Sequence, residues 1–276
     1  MTSSFKIATR KLNIPVSLLK YIASEGLRKP FACYILMKFI YSGKVHKNTI
    51  KGNLFMSTLG IKDRRTLNVY LLELLKHGLL VYNPKSGYYF ISSFERFRRA
   101  QQLKDRTSVI LFFDKFSTIQ SFIDTAVIGQ LIRNQEYFWL NGKIKFRRPA
   151  IRKSDIANTA IQVDRSKKPA YFGLSNSTIA KNLNCSLSEA CKKKHRAEKA
   201  GLIETKEHFL RIHTLDKADR NIRYQIYNSN PKLMNRLRFR TFKDLVSGRK
   251  KIELVQQLHD EIKPLILFSL RRRVKF

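Results

Sequence analysis

Leu67, Leu71 and Leu74 recur at i, i+4 and i+7 within NLFMSTLGIKDRRTLNVYLLELLKHGLLVYNPKSGYYFI, the period of a helix that buries one face. Upstream, PFACYILMKFIYS (30–42) is an almost unbroken apolar run, which predicts a buried helix opened by Pro30 and stopped by Gly43. NLFMSTL is a short helix and Gly60 a tight turn. Asp63 caps the leucine helix by accepting a backbone N–H at the positive end of the helix dipole. Gly78 ends that helix, and LLVY and YYFI, joined by Asn-Pro-Lys-Ser-Gly, pair as a hairpin.

The same order returns later. Residues 93–135 read as mainly helical with a β-rich interruption at SVILFF, and SFIDTAVIGQLIRNQ as the leading helix of a second unit. YFWLNGKIKF places Asn141-Gly142 between two apolar-aromatic runs, a hairpin signal, and the polar, basic stretch to about residue 170 reads as a loop or insertion. NSTIAKNL is a helix, Asn184-Cys185 takes the turn that Gly60 took before, and Ser186 to Glu189 is a capping box. Gly201 ends this helix as Gly78 ended the first. LIETKEHFLRIH and IRYQIYNS are expected to pair as long strands around the polar loop 214–220. Residues 231–276 read as a basic tail, helical over 241–262.

Charge changes this picture most. The 276 residues carry 55 Lys+Arg against 20 Asp+Glu, a formal +35. Such self-repulsion does nothing for a compact fold and implies a polyanionic partner, nucleic acid before an anionic membrane surface. With 43% hydrophobic residues the chain can fill two cores, and its length favours about two domains. Three cysteines, Cys33, Cys185 and Cys191, make no disulfide scaffold and suit a reducing compartment. No secretory signal and no run of roughly 20 apolar residues is visible, so a cytoplasmic, DNA-associated protein with no membrane partner is expected.

LGIKDRRTLNVYLLELLKHGLL (59–80) and IAKNLNCSLSEACKKKHRAEKAGLI (179–203) each resemble a winged-helix DNA-binding domain, over residues 30–91 and 117–228. The fold class implied is mainly α with small β-hairpins (α+β). The division implied is an arm (1–29), a first winged-helix domain (30–91), a helical connector (92–116), a second domain (117–230) with a basic insertion (136–170), and the basic tail (231–276). In that family a recognition helix enters the major groove and a wing touches an adjacent groove or the backbone. Aligning the two segments on the terminal glycine sets Lys194 where the first has Leu71. The second helix then offers only Ala190 and Ala197 to its own core. Either it packs closely on a neighbour, or the register is off by one.

On the first helix the buried leucines leave Arg64, Arg65 and Asn68 outward, types that pair bidentately with guanine and adenine edges, while Lys62 and Thr66 suit phosphates. Ser188, Lys192, Lys193 and Arg196 take the corresponding places on the second, where lysines favour backbone grip over base reading. Lys85, Lys206 and Arg211 are the wing candidates; Arg147 and Arg148 in the insertion and Arg271, Arg272 and Arg273 in the tail are further phosphate contacts.

Catalytic signatures are missing. There is no Walker-type loop and no His-hydrophobe-His pair. LRIHT (210–214) resembles a fragment of tyrosine-recombinase sites, yet no tyrosine follows Tyr227 to act as nucleophile. Cys185, Cys191 and His195 fall short of a zinc site, and carboxylates are too scattered for a two-metal nuclease. The expectation is therefore a binder of double-stranded DNA, not an enzyme, with no cofactor and no metal. Paired units with a basic tail look like replication initiators of plasmids, phages and other mobile elements. The alternatives are a transcription regulator, either role bringing replication or transcription machinery as a partner, and a non-specific coating or packaging protein.

Overall fold

The computed structural model describes residues 7–50, 52–104, 107–140, 169–207, 209–215, 237–243, 248, 250–257 and 259–270. They form a mixed α+β protein with small antiparallel sheets, in two compact units. One unit takes the described residues within 1–161, 177–204 and 264–276; the other takes those within 162–176 and 205–263.

The first unit begins with β1 (Lys11–Pro15), α1 (Val16–Ser24) and α2 (Arg28–Ile40). α2 is the buried helix read from the apolar run. It starts two residues before Pro30, which sits in the first turn, where a missing N–H costs no helical hydrogen bond. Then come β2 (Lys44–His46), α3 (Lys47–Ile50), α4 (Asn53–Thr58), α5 (Arg64–Lys76), β3 (Leu80–Asn83) and β4 (Tyr88–Ile91). β3 and β4 form the expected hairpin, with Leu80 opposite Ile91, and β4 also pairs with β2, so the sheet order is β2-β4-β3. α6 (Phe94–Ala100) and β5 (Thr107–Phe112) share the stretch expected as a helical connector, and a 3-10 turn (Phe113–Thr118) leads into α7 (Ile119–Leu140).

α7 overturns the hairpin expected at YFWLNGKIKF. Tyr137 to Leu140 are helical; residues 141–146 lie outside the described residues. The apolar face runs on through Ile128, Ile132 and Trp139, all buried, while Tyr137 and Phe138 are exposed. A strand would put Tyr137 and Trp139 on one face, so helical periodicity prevailed.

After β6 (Phe172–Gly173) the chain forms α8 (Asn176–Leu183) and α9 (Leu187–Lys199), then enters β7 (Ile203–Lys206). α5 packs on α2, α9 packs on α7, and α2 packs on α7. The Arg28 guanidinium donates from Nε (3.2 Å) and Nη2 (2.8 Å) to Asp124 Oδ1, and from Nη1 to the Ala23 carbonyl (3.1 Å), joining α2 to α7. β12 (Phe268–Leu270) closes the unit by pairing with β5, whose other neighbour is β1. Gly129 of α7 admits the Phe268 ring: a Cβ there would lie 2.6 Å from Phe268 Cζ.

The second unit is built mainly of strands, and it corrects two expectations. β9 (Leu237–Lys243), β10 (Lys250–Gln257) and β11 (Glu261–Pro264) occupy most of the stretch expected as a tail helix. Leu237 to Arg240 alternate apolar and polar with period two, a strand pattern, and a neighbouring strand supplies the hydrogen bonds. β8 (Phe209–Leu215) pairs with β10, which pairs in turn with β9. LIETKEHFLRIH is thus broken at Glu207 into strands of two different sheets. β7 belongs to the order β6-β11-β7, so its neighbour comes from residues 261–264; IRYQIYNS lies outside the described residues.

Candidate nucleic-acid interface

Two helices of equal length carry the candidate residues. At the start of α5 the Asp63 carboxylate accepts the Arg65 N–H at 2.9 Å, and Gly60 (φ +66°) makes the preceding turn. At the start of α9 the Ser186 hydroxyl accepts the Glu189 N–H at 3.2 Å, and Asn184 (φ +48°) replaces the glycine. Asn is among the few side chains that tolerate that left-handed conformation. Both helices run 13 residues and end before a glycine of positive φ, Gly78 and Gly201.

The capping box at α9 is half formed. Glu189 does not reach back to the cap; its carboxylate accepts from Arg196 Nη2 instead. Arg196 is thus engaged by a carboxylate of its own helix.

The buried positions settle the register. Leu67, Leu71 and Leu74 on α5 are matched in spacing by Ala190, Lys194 and Ala197 on α9, all buried. α9 is thus a helix packed on its neighbour α7, with no slip by one residue. Lys193 is also buried, at 7% exposure against 2% for Lys194, so it does not stand on the outward face expected for it. Its place explains this: Lys193 and Lys194 lie three and four residues from Ala190, where a helical face must fall. Between the small alanines, the aliphatic stems of the two lysines fill space that larger apolar side chains fill on α5.

Lys62, Arg64, Arg65 and Asn68 are exposed on and just before α5, and Thr66 is half-buried. Ser188, Lys192 and Arg196 are exposed on α9. Lys85 stands at the β3–β4 turn, which Asn83 organises by accepting the Lys85 and Ser86 N–H groups at 3.0 and 3.3 Å. In the second unit exposed Lys206 holds its Nζ 4.0 Å from the Tyr171 ring centroid, and Lys263 approaches the same ring at 5.7 Å. Arg211 lies in β8. Arg147, Arg148, Arg271, Arg272 and Arg273 fall outside the described residues.

Lys38 was not singled out by sequence, since it sits inside an apolar run. Its Nζ lies 5.2 Å from the Tyr34 ring centroid and 4.8 Å from that of Phe94, beside a cleft of about 380 Å³. Burial pulls its pKa down to about 8. Burial also pushes the Cys33 thiol well up, which leaves it unreactive. Among the described residues no cluster of three His, Cys, Asp or Glu could hold a metal ion, and no helix is long and apolar enough to cross a membrane. Comparison with protein families, curated proteins and solved structures finds no match.

Proposed function

We propose that this chain binds double-stranded DNA through two winged-helix units that present α5 and α9 to the major groove. The observation that carries the reading is the likeness of α5 and α9: same length, same kind of cap, same buried spacing, both within one compact unit. The sheets support it. In β2-β4-β3 and in β6-β11-β7 the strand before the helix pair and the strand after it flank a third. In the first sheet that third strand follows directly by a turn, and it supplies the wing. In the second it follows an inserted antiparallel sheet, β8-β10-β9. The +35 charge supplies the electrostatic half of the argument.

On this reading Arg64, Arg65 and Asn68 read bases, while Lys62, Thr66, Lys85, Ser188, Lys192, Arg196 and Lys206 hold phosphates or sugars. The protein binds and does not cut. The biological role favoured is replication initiation on a plasmid, phage or other mobile element, in the cytoplasm, because paired readers mounted together suit repeated origin sequences. Selection of bound duplexes from a random pool tests it: enrichment of a motif with two half-sites supports a sequence-reading initiator or regulator. No enrichment supports coating, the reading that the charge excess alone would favour.

A further inference from the structure

α5 carries a feature that α9 lacks. Val69 and Leu72 are 55% and 64% exposed. With Arg65 and Lys76 they make one stripe at i, i+4, i+7 and i+11, away from the buried Leu67, Leu71 and Leu74. The corresponding places on α9 hold Ser188, Lys192, His195 and Lys199, polar and exposed throughout; the exposed Leu187 of α9 stands at its first residue, outside that row. Two large apolar side chains thus stand in water at the middle of a basic stripe.

Its surroundings say what covers that spot. A stable protein interface buries about 800 Å² on each partner, far more than two side chains offer. Exposed Lys62, Arg64 and Arg65 lie at one end and Lys76 at the other, so the frame is cationic. Of the adjacent carboxylates, Asp63 accepts the Arg65 N–H at the helix start and Glu73 is 3.7 Å from His77 Nε2. A small apolar spot framed by cations is complementary to the major groove, where the C5 methyl of thymine projects between two walls of phosphate. We propose that Val69 and Leu72 are specificity-determining residues that read thymine methyl groups, which makes α5 the sequence-reading helix. This rests on the DNA-binding reading above.

The test uses the full chain and a duplex selected from a random pool. Each thymine is replaced in turn by deoxyuridine, which keeps the pairing edge and removes only the methyl. Burying one methyl on binding predicts a loss of about fourfold at one or two central positions. For the doubly substituted Val69→Ala, Leu72→Ala protein the same replacements should change nothing, and far-ultraviolet circular dichroism should match the unsubstituted chain. Equal binding of thymine and uracil duplexes by the unsubstituted chain overturns the proposal and leaves DNA binding intact. So does a selected site without central thymines. A double variant that shifts the oligomeric state in sedimentation but keeps the full loss of affinity on the uracil duplexes overturns it in favour of a contact between copies. Failure to bind any duplex overturns this proposal together with the reading on which it rests.

Discussion

Asp124→Ala removes the anion that joins α2 to α7, and the structure sets the size of the effect. Arg28 and Asp124 side chains are 18% and 7% exposed, so the pair is largely withdrawn from water. Asp124 Oδ1 accepts two of the three hydrogen bonds that the Arg28 guanidinium makes, the third going to Ala23. Alanine leaves that guanidinium partly buried without its counter-charge, a change that costs about 3–5 kcal/mol for pairs of this kind. For a chain of this length each kcal/mol lowers the unfolding midpoint by about 2–4 °C, so a fall on the order of 10 °C is expected by thermal circular dichroism. Arg28→Leu combined with Asp124→Leu should recover much of it, since an apolar pair needs no counter-ion. α2 carries α5 and α7 carries α9, so Asp124→Ala should also weaken a two-half-site duplex more than a single half-site. A midpoint within about 2 °C of the unsubstituted chain would refute the reasoning, because mutations away from such features usually stay within ±0.5 kcal/mol.

Arg65→Ala is expected to cost about 1–3 kcal/mol on the selected site and to relax discrimination at one base pair, whereas Lys192→Ala should weaken all sequences nearly equally and shallow the salt slope by about one unit. Titrations on selected and scrambled duplexes decide it, and an equal loss on both for Arg65→Ala would show that α5 does not read bases. For Lys38, burial places the folded pKa at about 8 against an ordinary 10.5. Between those values the unfolded chain binds the extra proton, so stability should rise with pH across that window. Lys38→Met should be more stable than the unsubstituted chain at pH 7, by on the order of 2 kcal/mol once the lost Tyr34 and Phe94 ring contacts are set against the relieved burial, and its rise above pH 8 should flatten. Denaturant melts of both proteins at pH 7 and pH 10 measure this; parallel pH curves would contradict it. The affinity of the unsubstituted chain should fall about 10³–10⁵-fold between 50 and 200 mM salt if six to ten phosphates are neutralised, and a flat response would remove the electrostatic argument.

What was legible in the sequence is what local chemistry decides. Asp63 and Ser186 announce helix starts because their side chains satisfy N–H groups two or three residues away. Gly78 and Gly201 announce the ends, because only their positive φ is needed there. Leu67, Leu71 and Leu74 orient α5, and so leave Arg64, Arg65 and Asn68 outward. What was not legible depends on distant partners. β11 is four residues, Glu-Ile-Lys-Pro, and becomes a strand by pairing with β6, far upstream. The Arg28–Asp124 pair spans 96 positions. Trp139 kept α7 helical past a sequence that read as a hairpin, because its buried face continued. Lys193 differs for another reason: a lysine suits an outward face, but its helical position three residues from Ala190 points inward.

The most direct test of the central account is a phasing measurement on the selected two-half-site duplex. α5 and α9 belong to one compact unit, and α2 is pinned to α7, so the two helices are expected to reach DNA on one face with a fixed separation. Half-sites read in this way lie about one helical turn apart, roughly 10 bp. Affinity should collapse when about five base pairs are inserted between them and largely return when about ten are inserted, since only the second keeps both halves on one face. Equal affinity for both insertions would contradict the account.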